Sequence, residues 1–266
     1  MRPLILITND DGVRSPGLHA LAECVVDFAD VVISAPLDQQ TSMSRAKRRP
    51  AGGGVIHTFA FEIGGRSHVA HGVVGTPSMS VLHGILEIAP RRPDLCLSGI
   101  NYGENIGYAL STGGTVGAAM EAGAFGVPAI AVSLETPMTL NHSEEYPPLN
   151  WGPTQHVVRK LAQEVLANGW PAEVGVYNVN VPSDATEATA VRWTRQSRMN
   201  YYQWSSTGVR DWSQPHGLHV DKIAEGSEQD SDVRALAIDR VVSVTPLVRE
   251  LTALGSWAAR AARTDG

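Results

Sequence analysis

Short apolar runs alternate with helix-like segments along the first half of the chain. Leu4 to Thr8 is a compact apolar run that stops at Asn9-Asp10-Asp11-Gly12, which indicates a buried strand ending in a turn. Ser15-Pro16 then opens a helix, with Ser15 at the N-cap and Pro16 at the first helical position. Val31 to Ala35 is a second buried strand. This order of strand, helix and strand predicts a right-handed parallel crossover.

The same alternation continues to residue 185. We expect a hairpin over 55–70, helices over 76–88, 115–125 and 151–168, and strands over 94–97, 129–134 and 174–181. Residues 37–54 and 135–153 are polar or rich in Gly and Pro and are predicted to be loops. The fold class that follows is α/β, with a Rossmann-like, doubly wound and mostly parallel sheet over residues 1–185.

The pattern becomes less regular after residue 185. Short strand-like runs at 191–194 and 241–245 surround a polar segment at 203–232, which is predicted to be a loop. Residues 249–263 are predicted to form a helix able to pack on a partner subunit. We therefore expect a core over 1–185, and a β-rich extension with a C-terminal helix over 186–266.

Composition narrows the possible partners. The 266 residues are 43% hydrophobic, as in ordinary globular proteins, and the net charge of −6 gives no reason to expect polymeric nucleic acid or an acidic membrane as a partner. No window approaches the length of a membrane span, and the N-terminus lacks the pattern of a signal peptide. Cys24 and Cys96 show no metal-ligand spacing and are interpreted as buried reduced thiols. We expect a cytoplasmic protein.

Adjacent carboxylates mark the end of the first predicted strand. Ligands of an open parallel sheet bind beyond the carboxyl ends of its strands, so Asp10 and Asp11 should converge there with the loops 38–44 and 98–115. The two charges would repel each other unless a cation lay between them. Oxygen ligands select a hard ion such as Mg²⁺ or Mn²⁺. The alternative is that the aspartates form an Asx turn that caps the next helix.

A second group of polar residues follows the strand at 94–97. Asn101 and Asn105 offer amides that can coordinate a metal or donate to phosphate. Gly113-Gly114-Thr115 lies directly before a helix, where free N–H groups favour an anion. The alternative is a tight turn with close helix packing. The basic run from Arg45 to Arg49 either clamps a second phosphate or forms a solvated, mobile loop.

Several long segments together resemble one known family. ILITNDDGVRSPGLHALAE is similar to the N-terminal signature of the SurE survival-protein family of 5′/3′-nucleotidases and phosphatases. SGINYGENIG, GGTVGAAMEA and GVPAIAVSL resemble its second signature, and VGTPSMSV, YNVNVP, VRWTR and VVSVTPL follow in the family's order. The likeness runs from about residue 3 to residue 252.

The resemblance implies ligands, a reaction and an assembly. It implies one divalent metal ion per subunit, held by Asp10, Asp11, Asn101 and a hydroxyl at Thr41, or at Ser42 if the loop is shifted by one residue. Asn105 matches the family's phosphate-contacting Asn, and Thr115 matches the Thr of its Ser-Gly-Thr triplet. It also implies an extension that exchanges segments in homodimers or homotetramers.

The sequence departs from the family pattern at the phosphate pocket. Thr41-Ser42 replaces the usual Ser-Gly, Gly113 stands where the triplet has Ser, and Met79 stands where Asp is usual.

The activity expected is metal-assisted hydrolysis of nucleoside 5′- or 3′-monophosphates, with Asp10 and Asp11 as catalytic residues. Asn105, Gly113, Gly114 and Thr115 would hold the phosphate. The alternatives are a phosphatase for a biosynthetic intermediate, and a paralogue that binds nucleotides without turnover.

Overall fold

A nine-stranded sheet forms the centre of the computed structural model, which describes residues 2–48, 50–140, 146–215 and 217–252. The strands of the described residues are β1 (Leu4–Thr8), β2 (Asp30–Pro36), β3 (Ile56–Ile63), β4 (Arg66–Val73), β5 (Leu95–Tyr102), β6 (Ala129–Leu134), β7 (Val174–Val181), β8 (Val191–Trp193), β9 (Tyr202–Ser205), β10 (His219–Lys222) and β11 (Val242–Val248). Of these, β9 and β10 form a separate two-stranded sheet. The helices are α1 (Pro16–Glu23), α2 (Pro77–His83), α3 (Gly114–Ala124) and α4 (Gly152–Asn168).

The strand order is β3-β4-β2-β1-β5-β6-β7-β11-β8. Strands β4, β2, β1, β5, β6 and β7 run parallel to one another, whereas β3 and β11 pair antiparallel with β4 and β7. The order reverses between β1 and β5, because β2 extends the sheet on one side of this pair and β6 extends it on the other. Such a reversal is the usual ligand site of a doubly wound sheet.

Helices cover both faces of the sheet. On one face, Leu18 and Leu21 of α1 and Leu161 of α4 pack with Ile5 and Ile7 of β1 in a single buried cluster. On the other face, apolar residues of α2 and α3 pack with alternate residues of the same strands, such as Leu6 and Cys96. Burial on both faces explains why β1 and β6 are almost continuously apolar in sequence. The predicted doubly wound α/β fold is confirmed.

Most element positions agree with the sequence pattern. The predicted strands at 4–8, 129–134 and 174–181 have the expected bounds, and Pro16 begins α1 with Ser15 at the N-cap position. The helix predicted over 76–88 is instead the α-helix Pro77–His83 followed by a π-helical turn over Gly84–Ile88. Residues 249–252 are not helical, and the rest of the helix predicted over 249–263 lies outside the described residues.

The predicted loop over 203–232 is wrong in part. Strands β9 and β10 pair antiparallel within it, with Tyr202 opposite Lys222 and Ser205 opposite His219. The extension also contributes β8 and β11 to the main sheet, where β11 pairs with β7 of the core. The boundary predicted at residue 185 therefore separates two stretches of sequence that share one sheet.

Two further features concern the cysteines and the helices. Cys24 and Cys96 are buried free thiols, and burial raises the pKa of each to about 12. Among the residues that the structure describes, no helix is both long and apolar enough to cross a membrane.

Candidate active site

The carboxyl ends of β1 and β5 form the candidate site, at the point where the strand order reverses. Thr8 of β1 pairs with Ser98 of β5, and the chain then continues to Asp10 and Asp11 on one side and to Asn101 on the other. All three side chains are at least nine-tenths buried. The convergence expected from the sequence is therefore present.

The turn after β1 is made by Asn9 and Gly12. The amide oxygen of Asn9 accepts a hydrogen bond from Gly12 N–H at 3.2 Å, and its Nδ2 donates to the Gly12 carbonyl at 3.0 Å. Gly12 has φ +100°, which favours glycine. Because Asn9 forms the turn, the aspartates that follow are free for other contacts. The alternative in which Asp10 and Asp11 form an Asx turn that caps the next helix, α1, does not match the structure, where Asn9 makes that turn.

Asp10 faces the N-terminus of α3. The Thr115 hydroxyl donates to Oδ1 of Asp10 at 2.6 Å, and backbone N–H groups of Gly114 and Thr115 also stabilise the charged form. Burial outweighs these hydrogen bonds and raises the pKa of Asp10 from 3.8 to about 6. Asp10 is thus a carboxyl whose charge is poorly compensated at neutral pH.

Asp11 has still less compensation. The backbone N–H of Tyr102 lies 3.4 Å from its Oδ2, which is a long hydrogen bond. Burial first, and then repulsion from Asp10, raise the pKa of Asp11 well above its ordinary range. Two neighbouring buried carboxyls with raised pKa values are typical of a functional site rather than of a structural ion pair.

The other predicted metal ligands share a cavity with Asp10. Asn101 and Thr41 line the same cavity of about 280 Å³. Asn101 Nδ2 donates to the Gly103 carbonyl at 2.6 Å, which turns Oδ1 the other way. Within the described residues, that buried Oδ1 has no hydrogen-bond partner. Thr41 is held by Gln39, whose amide group contacts both its N–H and its hydroxyl.

These donors fit a hard cation. The carboxylate of Asp10, the unpartnered amide oxygen of Asn101 and the hydroxyl of Thr41 line this cavity, and an all-oxygen set of this kind suits Mg²⁺ or Mn²⁺. Asp11 adds a second carboxylate next to Asp10 in sequence, but it lines a separate cavity together with Arg14. No group of three or more His, Cys, Asp or Glu side chains that could hold a metal occurs in the described part of the chain. The set here contains only two carboxylates, so a cation at this position would depend on the neutral oxygens.

Asn105 lines the same cavity and is held in place by hydrogen bonds to β6 and β7. Its Nδ2 donates to the Ser133 hydroxyl at 2.9 Å, and its backbone is bonded to Asn178 and Asn180 of β7. A Cβ at Gly113 would lie 1.9 Å from Oδ1 of Asn105. A side chain at position 113 would therefore require the amide of Asn105 to shift from its present position.

The N-terminus of α3 already carries an anion. The sequence predicts that Gly113-Gly114-Thr115 binds a negative group, and in the structure this group is the carboxylate of Asp10. A Cβ at Gly114 would lie 2.6 Å from Oδ2 of Asp10, so this glycine allows the close approach. The dipole end of the helix thus offsets part of the cost of burying Asp10.

Aromatic side chains that the sequence analysis missed line the cavity beside the polar residues. Tyr108, Tyr202 and Trp204 contribute to its wall, and Trp204 and Tyr108 are more than 60% exposed. Tyr202 and Trp204 belong to β9, which was predicted to be loop, so the pattern gave no reason to place them here. Lys222 of β10 fixes the hairpin to the core through an ion pair of 2.6 Å with buried Glu104.

Asn178 and Asn180 were also missed, although a signal existed. Both lie in the apolar strand YNVNVP, two residues apart and hence on one face, and both are fully buried. Polar residues repeated on one face of a buried strand indicate a hydrogen-bonding partner opposite them.

Together, the fold and the site define a Rossmann-like α/β protein with a buried, oxygen-rich site at the reversal of its strand order. A family model described as "Survival protein SurE" matches residues 5–203. The chain belongs to the SurE family.

Similar proteins cover nearly the whole chain. It is 39% identical over 260 residues to a protein of Methanocella arvoryzae named 5′-nucleotidase SurE, covering 94% of this chain and 93% of that protein. It is 36% identical over 253 residues to the 5′-nucleotidase SurE of Thermococcus gammatolerans, covering 94% and 91%. The crystal structure of the SurE protein from Aquifex aeolicus superposes with a TM-score of 0.75 at 28% identity, covering 97% of this chain and 98% of that one.

Proposed function

We propose that this chain is a metal-dependent phosphomonoesterase that hydrolyses nucleoside 5′- or 3′-monophosphates to the nucleoside and phosphate. The observation that carries the proposal is buried Asp10, followed by buried Asp11, in a cavity that Asp10 shares with the unpartnered amide oxygen of Asn101 and with aromatic residues. The relatives named 5′-nucleotidase support the same reaction class.

Asp10, Asp11, Asn101 and Thr41 are the residues that would hold one divalent ion. A Mg²⁺ or Mn²⁺ ion bound there supplies Lewis-acid stabilisation of the charge on the phosphoryl group. In the metal-free protein burial raises the pKa of both carboxyls, and a bound cation would favour their charged forms.

Asn105, Gly113, Gly114 and Thr115 are the proposed phosphate-binding groups. Their amide, N–H and hydroxyl donors suit the equatorial oxygens, where negative charge develops. In the structure the Thr115 hydroxyl is bonded to Asp10. Phosphate binding at this position therefore requires the hydroxyl to exchange one anionic partner for another.

The aromatic walls favour a nucleotide over a small sugar phosphate. Tyr108, Tyr202 and Trp204 line the cavity that contains Asp10. Stacking of a base on an aromatic ring contributes roughly 1–3 kcal/mol. A sugar phosphate gains nothing from these rings, so the nucleoside part of the substrate is what they would recognise.

The test is a phosphate-release panel. Purified protein would be assayed on nucleoside 5′- and 3′-monophosphates, ribose 5-phosphate and an aryl phosphate, each with Mg²⁺, Mn²⁺ or a chelator. We expect metal-dependent release, fastest from nucleotides, and its loss in Asp10→Asn with the fold retained by circular dichroism. Faster turnover of the sugar phosphate would favour the specialised phosphatase. Nucleotide binding without release in any metal would indicate a binding protein.

Assembly and location complete the proposal. Trp204, Trp212 and Leu218 are exposed apolar residues on and beside the β9–β10 hairpin, which supports a role of the extension in homodimers or homotetramers. Light scattering of the purified chain would measure its mass. Buried free thiols support the cytoplasm as the site of action, with neither a membrane nor polymeric nucleic acid as a partner.

A further inference from the structure

Glu121 is a fully buried carboxylate in the middle of α3, one face of which supports the candidate site. Its side chain has no exposed surface, and it lies 2.5 Å from Nε of Arg45 and 2.8 Å from Nζ of Lys47. Both cations belong to the loop after β2 and are about half exposed. A buried charge of this kind persists only when it is paired, so the two loop residues are what make Glu121 tolerable inside the protein.

The backbone of the same loop is fastened to the start of α3. The N–H of Ser44 donates to the Thr112 carbonyl at 3.0 Å, and the Ser44 hydroxyl donates to the Ser111 carbonyl at 2.8 Å. A Cβ at Gly117 would lie 2.0 Å from the Ser44 carbonyl oxygen, which shows how closely the loop approaches the helix. The loop is therefore a packed segment and not a freely solvated one.

The conformation of the loop is one that it would not adopt without such restraints. Ser42 has φ +63° and Ser44 has φ +50°, and both values lie in the left-handed region that residues other than glycine avoid. Strained residues persist where the surrounding structure fixes them. Thr41 lies directly before this strained stretch and lines the cavity with Asp10 and Asn101.

We propose that Glu121 is a positioning residue: its ion pairs with Arg45 and Lys47 hold the loop 41–47 so that Thr41 completes the cation site. This rests on the proposed function, because Thr41 is a ligand only if the site takes a metal. It also gives the basic run a role that is neither a phosphate clamp nor a solvated loop. Arg48 lies in the same basic run, but the ion pairs of Glu121 are made by Arg45 and Lys47. The proposed role therefore belongs to these two residues.

The experiment separates positioning from stability with three variants. The double variant Arg45→Ala/Lys47→Ala removes both cations and leaves Glu121 charged and buried. Adding Glu121→Gln to the double variant removes the uncompensated charge without restoring the tether, by which we mean the ion pairs that join the loop 41–47 to α3. Arg48→Ala removes the same charge from the same loop and is the matched control. Each protein is measured for its Mn²⁺ dissociation constant, for Tm, and for hydrogen exchange of the peptide that spans residues 41–47.

We expect the double variant to bind Mn²⁺ about tenfold more weakly, as is typical when a residue that orients a ligand is lost. Its Tm should fall and residues 41–47 should exchange faster. The triple variant should regain Tm but not Mn²⁺ affinity, and Arg48→Ala should behave as the wild type. Wild-type Mn²⁺ affinity in the double variant, or affinity that returns together with Tm in the triple variant, overturns the proposal.

The design also distinguishes failure of the proposed function from failure of this inference. If the wild type binds no Mn²⁺, the metal site itself is wrong. The tether is then judged by hydrogen exchange alone, and unchanged exchange over 41–47 in the triple variant refutes it. Should the double variant not fold, the triple variant carries the same comparison, because it lacks the unpaired buried charge.

Discussion

Asp10 should destabilise the fold at neutral pH when no metal is bound, and Asp10→Asn should relieve that cost. The pKa of this carboxyl is 3.8 ordinarily and about 6 in the folded protein. Between these two values the folded state binds more protons than the unfolded state, so stability falls as the pH rises from 4 to 6. By pH 8 the accumulated cost is about 3 kcal/mol.

The amide that replaces the carboxyl recovers only part of this energy. The hydroxyl of Thr115 can still donate to the Asn oxygen, but the charge-assisted bonds become ordinary ones, which costs about 1–2 kcal/mol. The net gain is therefore about 1–2 kcal/mol, or roughly 2–8 °C in Tm for a protein of this size. Thermal unfolding in chelator should show this gain at pH 8 and little difference at pH 4, where the folded wild type is protonated.

A divalent ion should reverse the order of stability. At a hundred times its dissociation constant, a ligand stabilises the folded state by about 2.7 kcal/mol. Mn²⁺ should therefore raise the Tm of the wild type at pH 8 and leave Asp10→Asn almost unchanged.

Asp94→Asn is the matched control for this prediction. The pKa of Asp94 is lowered, chiefly by its hydrogen bond with Arg91, so its removal should destabilise the protein at pH 8 with or without metal. An Asp10→Asn protein that is less stable than the wild type in chelator at pH 8, with Asp94→Asn behaving as stated, would refute the reasoning.

Three other substitutions have defined outcomes. Gly114→Ala places a Cβ 2.6 Å from Oδ2 of Asp10 and should weaken Mn²⁺ binding, measured by calorimetry, about tenfold. Gly217→Ala, where the added Cβ meets open space, should bind Mn²⁺ as the wild type does. Ser42→Gly relieves φ +63° and should raise stability to urea by about 1 kcal/mol; a loss would mean that the serine side chain itself stabilises the loop. Trp204→Ala should raise KM for nucleoside monophosphates about tenfold through lost stacking but leave that for glycerol phosphate unchanged.

Local sequence signals predict the half of the site that lies near strand ends. Asp10 and Asp11 follow a continuous apolar run, and Asn101 follows a shorter one at 95–97 after three intervening residues. Burial of the sheet on both faces is what makes such strands recognisable in the sequence. The parallel order then brings the ends together without any further information. The helix start at Gly114 was recognised as a place for an anion, and Asp10 is the anion that the structure brings there.

The remaining half depends on contacts between distant segments. Trp204 reaches the cavity because β9 pairs with β10, and the strand signal is weak where both faces are polar or exposed. The pairing of Glu121 with Arg45 spans 76 residues and joins a helix rich in small residues to a loop whose sequence suggests exposure to solvent. Neither segment indicates the other in its own pattern.

The balance of hydrogen-bond donors and acceptors supports the proposal that a cation is the partner of this site. Asp10 is bonded to Thr115, but Asp11 has one long hydrogen bond and the amide oxygen of Asn101 has no partner among the described residues. These uncompensated atoms are acceptors, and no Lys or Arg is among the described residues that line the cavity of Asp10 and Asn101, whereas Arg14 lines the separate cavity of Asp11. A phosphate dianion would be repelled by the same carboxylates in a protein whose net charge is already −6. One divalent ion would offset the repulsion between the aspartates and would also attract the phosphate. Protonation of the aspartates would relieve the repulsion but would not attract the phosphate.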